Sequence, residues 1–118
     1  MSPNDDSTDQ ASDVVYHVVF LNGIPGRPLN PEVVALHGQH LAELDRKGKL
    51  VLAGPLVERH GGLIVLRVAN AAEARAIAEE DPMVQGGYET YELATWPIAS
   101  RQNSYRPNLK HVMAQSPN

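Results

Sequence analysis

The chain has 118 residues, 42% of them hydrophobic and none of them cysteine, and a formal net charge of −4. This length fits one domain with a core of its own, and the absence of cysteine excludes disulfides, thiolate nucleophiles and cysteine metal clusters. The acidic excess lies in the first 12 residues, which contain Asp5, Asp6 and Asp9 and no basic residue. The nearly neutral remainder offers no basic surface, so neither nucleic acid nor a membrane is expected as a partner.

The two ends of the chain differ in composition from the middle. Residues 1–12 are acidic and polar, unlike a secretory signal or a transit peptide. No apolar run reaches the ~18 residues that a membrane span needs. We therefore expect a disordered tail at residues 1–12, a single domain at residues 13–97, a C-terminal extension at residues 98–118 and a cytoplasmic location.

The first half of the domain predicts a strand and a helix. Residues 13–21 are β-branched and aromatic and are apolar on both faces, which indicates a central strand. Residues 22–30 contain two glycines and two prolines and form a loop. Asn30-Pro31-Glu32 then supplies a capping side chain, a proline at the first helical position and an acid in the first turn. The helix should end near Lys47, with Gly48 as its stop.

The second half predicts three strands and one more helix. The strand at residues 49–58 is interrupted by Gly54-Pro55, so it should be an edge strand or contain a bulge, because proline cannot donate to the ladder. Gly61-Gly62 marks a tight hairpin. In chain order the remaining elements are a strand at residues 63–69, a helix from Asn70 to Asp81-Pro82, and a strand at residues 88–96 after Gly86-Gly87.

The element order is strand, helix, strand, strand, helix, strand. This order predicts an α+β ferredoxin-like fold, in which a four-stranded antiparallel sheet carries two helices on one face. The sheet is apolar on both sides, so its second face should be buried against another surface. A second copy of the chain is the simplest partner, and we expect a homodimer.

His40 and Asp81 are the candidate residues for proton transfer. A carboxylate oriented toward an imidazole raises its basicity and fixes its tautomer. An acid at the end of a helix opposes the helix dipole, which indicates another purpose for Asp81. Each residue also has a structural interpretation: a histidine at the edge of the core bonded to a carbonyl, and an aspartate that bonds local amides before proline.

His37 lies three residues before His40 and is its neighbour on the helix surface. A His-x-x-His pair without an enclosed glutamate or a cysteine elsewhere is a weak zinc signal, so no metal is expected. His37 is interpreted as a histidine at the rim of the core, beside the candidate pocket.

These segments resemble the YciI-like (YCII-related) family over residues 14–97. Met83 stands where the family usually has an aromatic residue after Asp-Pro, and the loop at residues 22–30 lies outside the match. The matching segments are His40-Leu41, Gly48-Lys49-Leu50, Ala53-Gly54-Pro55-Leu56, Gly61-Gly62, Glu73-Ala74, Asp81-Pro82-Met83-Val84, Gly87 and Trp96-Pro97.

The resemblance implies a dimeric α+β barrel related to muconolactone isomerase-like proteins, with His40 and Asp81 as an active-site pair. One characterised branch of the family dehydrochlorinates chlorinated hydroxyhydroquinones. The leading hypothesis is therefore cofactor-independent acid–base elimination or isomerisation of a small cyclic or aromatic-derived substrate. The expected substrate-binding residues are His37, Gly54, Pro55, Met83 and Trp96.

Two other hypotheses remain beside the enzyme. The chain is then either a non-catalytic homodimeric module that binds a small molecule or a partner protein, or a protein in which the His–Asp pair is purely structural.

Overall fold

The structure is a computed structural model that describes residues 14–110. The predictions for residues 1–12 and for the last part of the C-terminal extension, residues 111–118, lie outside the described residues. The elements are β1 (Val15–Gly23), α1 (Pro31–Arg46), β2 (Leu50–Pro55), β3 (Gly61–Leu66), α2 (Ala71–Glu80), α3 (Pro82–Gln85), β4 (Glu89–Pro97) and a 3-10 helix (Arg101–Asn103).

The four strands form one sheet in the order β2-β3-β1-β4. β1 and β3 are antiparallel and central, with His17 opposite Leu66 and Asn22 opposite Gly61. β2 lies at the edge and pairs with β3 with a register shift between Leu50 and Leu52. The α+β ferredoxin-like fold is thus confirmed, as are the central positions of β1 and β3 and the irregular edge strand.

Capping side chains begin both long helices. The Asn30 side chain accepts hydrogen bonds from the backbone N–H groups of Glu32 and Val33 at the start of α1. Asn70 accepts from the Glu73 N–H at the start of α2, and Glu73 accepts in return from the Ala69 N–H. These contacts satisfy amides that the helix cannot pair by itself. They fix where α1 begins, and with it the position of each histidine along that helix.

The core lies between the two long helices and one face of the sheet. Each of these elements contributes fully or largely buried apolar side chains, which are Val19, Leu21, Leu44, Ile64, Leu66, Ala74, Ile77 and Ala78. Because strand residues alternate between faces, the paired register places Val18, Phe20, Leu52, Leu63 and Val65 on the opposite face. That face is also apolar, and Leu52 is 61% exposed.

The described chain divides into two compact units, residues 17–95 and residues 14–16 with 96–110. The first holds both long helices and the core. In the second, the Ile98 N–H donates to the Val14 carbonyl and the Asn103 side chain accepts from the Ser100 N–H. Among residues 14–110, no helix is long and apolar enough to cross a membrane. The cytoplasmic location stays a prediction.

The structure corrects several element boundaries. β1 extends to Gly23, beyond the predicted end at residue 21, because Gly61 and Gly62 pair with its last residues. β2 ends at Pro55 and not at residue 58. β3 runs from Gly61 to Leu66 and not from residue 63 to 69, so the predicted hairpin glycines Gly61 and Gly62 belong to the strand and the connection is formed by residues 56–60. The extra helix α3 was not predicted, although Asp81-Pro82 has its signal, a capping side chain followed by proline at the first helical position.

Candidate functional site

Asp81 joins two helices. Its backbone is extended, it closes α2, and its side chain accepts a hydrogen bond from the Met83 N–H at 2.9 Å as the cap of α3. An acid at a helix start caps amides that have no other partner. The unfavourable interaction of the Asp81 charge with the C-terminal end of α2 is therefore offset by its favourable interaction with the N-terminal end of α3.

The buried Asp81 carboxylate binds His37 with both oxygens. The distances from His37 Nδ1 are 2.8 Å to Oδ2 and 3.0 Å to Oδ1. Asp81 has no exposed side-chain surface, whereas the His37 side chain is 21% exposed. The hydrogen bond to Asp81 raises the pKa of His37, against the opposing effect of burial. Asp81 thus holds the ring and favours a proton on Nδ1, which leaves Nε2 free.

The predicted pairing of His40 with Asp81 is corrected by this geometry. His40 is half-buried on α1, and its Nε2 is buried without a hydrogen-bond partner among the described residues. Residues three apart on a helix lie side by side but point about 60° apart. Only the rotation of α1 against α3 decides which ring reaches Asp81, and that ring is His37.

A cavity of about 770 Å³ opens beside His37. Apolar side chains and backbone form most of its wall, which comes from α1, α3, the ends of β2 and β3 and the turn between these strands. Its size and character are those of a small-molecule site. The lining residues are Leu21, Leu29, Val34, His37, Leu41, Ala53, Gly54, Pro55, Leu56, Val57, Glu58, Arg59, His60, Gly61, Gly62, Leu63, Met83 and Glu89.

The predicted substrate-binding residues have different positions. His37, Gly54, Pro55 and Met83 all line the cavity, so the structure brings these four together. Trp96 lies near the end of β4, in the second compact unit, and is half exposed. A binding role for each of the five residues stays a prediction.

Four titratable residues of the cavity wall were not among the predicted site residues: Glu58, Arg59, His60 and Glu89. Two of them, His60 and Glu89, lie close to each other. Glu89 shares an alternating set with Tyr91 and Leu93, which pack against the core. A charged residue on the inward face of a strand was the signal that could have identified it.

The described residues contain no group of three or more histidine and acidic side chains arranged to hold a metal ion. His37 and Asp81 are bound to each other, and His60 and Glu89 form a separate pair with 3.8 Å between Nε2 and Oε2.

The stability of the protein should fall as pH rises because of His37. Its pKa is raised in the folded state, so its contribution is complete below the ordinary value of 6.5 and is lost as pH rises through the folded value. Urea unfolding between about pH 6 and about pH 9 should show this decline in the wild type and in His40→Gln. In His37→Gln the decline should be smaller, and an equal decline there would contradict the prediction.

Comparisons with known proteins agree on one family and one fold. A family profile described as the YCII-related domain matches residues 16–97. An uncharacterized protein from Bacillus subtilis (strain 168), YjpA, is 30% identical over 69 residues, which are 58% of this chain and 81% of YjpA.

A solved structure has a similar fold. It is the 5-chloro-2-hydroxyhydroquinone dehydrochlorinase TftG from Burkholderia phenoliruptrix AC1100, in complex with 2,5-dihydroxybenzoquinone. The superposition has a TM-score of 0.55 with 18% sequence identity, and covers 69% of this chain and 92% of TftG. At this identity the likeness establishes the fold alone.

Proposed function

The chain belongs to the YCII-related family, and we propose that it is a small enzyme that catalyses acid–base elimination or isomerisation with His37 and Asp81. The single observation that carries this proposal is the contact of a buried carboxylate with an imidazole in the wall of a cavity of small-molecule size. His37 takes the catalytic role that the sequence suggested for His40. The reaction we propose needs no cofactor.

In this mechanism His37 Nε2 is the base. Asp81 accepts the Nδ1 hydrogen, so Nε2 keeps a lone pair that can accept a proton from a substrate in the cavity. In an elimination, Nε2 takes a proton from the substrate, the C–H electron pair becomes a double bond, and the leaving group departs with its bonding pair. In an isomerisation, the proton returns to a different atom of the substrate. Asp81 stabilises the imidazolium in both cases.

The expected substrate is a small cyclic compound such as a hydroxylated aromatic or a quinone. The apolar part of the cavity wall suits a ring, and Gly54, Pro55 and Met83 border the space beside His37. The likeness in fold to a dehydrochlorinase supports this class, and 2,5-dihydroxybenzoquinone is a suitable first probe.

A homodimer is part of the proposal. The sheet face opposite the helices carries Phe20 and Leu63, which are partly exposed, and Leu52, which is 61% exposed, beside the buried Val18 and Val65. An apolar sheet face of this kind favours association with a second copy.

His37→Gln should strongly slow turnover while the protein stays folded. Gln cannot take the proton, and the loss of general-base catalysis is expected to slow the reaction by about 10²–10⁴-fold. The measurement is a screen of chlorinated hydroxyhydroquinones and related lactones with each variant, at the oligomer mass given by light scattering. His40→Gln is the matched control on the same helix and should keep its activity. Loss of activity in His40→Gln alone would instead support His40 as the catalytic base.

The same screen distinguishes the proposed enzyme from a non-catalytic binding module. A non-catalytic binding module would bind the probe without turnover in the wild type, and His37→Gln would then change the affinity only. If neither binding nor turnover occurs and only the melting temperature changes, the His–Asp pair is structural.

A further inference from the structure

Glu89 is a buried carboxyl group in the wall of the same cavity. It begins β4, and only 6% of its surface is exposed. Its Oε1 is buried without a hydrogen-bond partner among the described residues, and Oε2 lies 3.8 Å from His60 Nε2. A buried carboxyl oxygen without a partner costs folding free energy, which a hydrogen bond between the carboxyl group and a ligand would recover.

His60 is held beside Glu89 by the end of β1. Its carbonyl accepts a hydrogen bond from the Gly23 N–H at 3.1 Å, and a Cβ atom on Gly23 would overlap the His60 ring. Glycine at this position therefore lets the imidazole lie against the strand. The side chain of His60 is 36% exposed, so it can exchange protons with water.

We propose that Glu89 is a second catalytic residue of this cavity, a carboxylic acid that donates its proton to an oxygen of the ligand, and that His60 returns that proton from solvent. The cavity then holds two His–carboxyl pairs with opposite tasks. His37 with Asp81 removes a proton, and Glu89 with His60 supplies one. This inference rests on the proposed function of the site and extends it to a substrate with a carbonyl or quinone oxygen.

The conversion of a ketone to its enol shows how the two His–carboxyl pairs would share the proton transfers. For a ketone substrate, His37 Nε2 takes a proton from the carbon beside the carbonyl group, and the Glu89 O–H proton passes to the carbonyl oxygen. The product is the enol, with His37 as imidazolium and Glu89 as carboxylate. His37 then releases its proton to solvent, and Glu89 regains one through His60, so no other reactant is consumed.

The surroundings of Glu89 favour the protonated, neutral form of its carboxyl group. Burial raises its pKa most strongly, and the negative charge of Asp81 raises it further, while the charges of His60 and His37 lower it. Enzymes commonly separate acid from base by placing titratable groups in environments that shift their pKa values apart. The charged residues nearest the site come from the β2–β3 turn, α1, and the α2–α3 junction, and are Glu58, Arg59, His60, His37 and Asp81.

The test compares ligand binding across pH in the wild type and Glu89→Gln. The probe is 2,5-dihydroxybenzoquinone, which is anionic near neutral pH, and its affinity is measured by calorimetry from about pH 5 to about pH 9. Ionised Glu89 repels the probe, so wild-type affinity should fall by up to about tenfold per pH unit once Glu89 ionises. Glu89→Gln, which mimics the neutral acid, should lack this part of the fall.

Glu92→Gln is the matched control, because Glu92 is exposed on the same strand and the substitution changes the charge equally. The affinity of Glu92→Gln for the probe should change with pH as it does in the wild type. If the probe affinity changes with pH identically in the wild type and in Glu89→Gln, this inference is wrong, while the proposed function is unaffected. A wild type that never binds the probe overturns both.

The role of His60 in returning a proton to Glu89 is tested by a separate measurement. Carbon-13 NMR of the Glu89 carboxyl group follows its titration in the free protein. Because the His60 charge lowers the pKa of Glu89, His60→Gln should move that titration to higher pH. An unchanged Glu89 titration in His60→Gln contradicts the coupling, and a Glu89 that is ionised throughout the range contradicts the acid role.

Discussion

Asp81→Asn is expected to lower the free energy of unfolding by about 2–4 kcal/mol and to lower the pKa of His37. The carboxylate is fully buried and accepts from both His37 Nδ1 and the Met83 N–H. Asparagine has one acceptor oxygen. If that oxygen keeps the Met83 contact and the cap of α3, the amide NH₂ faces His37. The largest cause of the raised His37 pKa is then removed.

The same substitution should disable the base. An amide that donates to His37 Nδ1 forces the ring proton onto Nε2, the nitrogen that must be unprotonated to accept a proton from the substrate. Turnover should fall by about 10²–10⁴-fold. Chemical denaturation, NMR titration of His37 and the activity screen measure the three effects.

Asp45→Asn is the control for this substitution, since Asp45 lies exposed near the end of α1. It should change neither stability nor the titration of His37. A His37 titration that stays raised in Asp81→Asn would show that Asp81 is not its cause.

Gly61→Ala should lower the free energy of unfolding by about 3 kcal/mol or more. Gly61 has a φ of +140°, which is accessible to glycine and strained for alanine. The added Cβ would also overlap the backbone carbonyl oxygen of Leu21 in β1. Because the Gly61 carbonyl accepts from the Leu56 N–H, a shift of this residue disturbs pairing on both sides.

The melting temperature should therefore fall by roughly 10–20 °C in Gly61→Ala. Gly54→Ala is the matched control: Gly54 also lies in the cavity wall, but its Cβ would meet no atom within 4 Å and its φ is not positive. We expect little change in that variant. Equal melting temperatures for the two variants would contradict the packing argument at Gly61.

Local chemistry predicted most of the secondary structure. Asn30-Pro31-Glu32 and Asn70 begin the helices as expected, since a side-chain acceptor next to free amides acts within a few residues. Gly48, with a φ of +76°, follows the end of α1. α3 was missed because Asp81-Pro82 was interpreted as an ending, although the same two residues can also begin a helix.

The candidate site was predicted only in part. Asp81 contacts an imidazole in the cavity wall, and Gly54, Pro55 and Met83, which the family resemblance suggested, lie in the same wall. The roles of these residues stay predictions. Asp81 was expected to contact His40 but contacts His37, because the two histidines lie on the same helix and point about 60° apart. A catalytic role for either histidine stays a prediction.

Hydrophobic patterning, element order and local capping were sufficient to predict the fold class and to place Asp81 at the end of α2. The family resemblance came from short matching segments, which are equally a property of the sequence. The contact of His37 with Asp81 and the position of His60 and Glu89 in the same cavity became visible only in the folded structure. These contacts join residues 44 and 29 positions apart. They depend on helix rotation and strand register to within an ångström or two, and no local pattern contains that information.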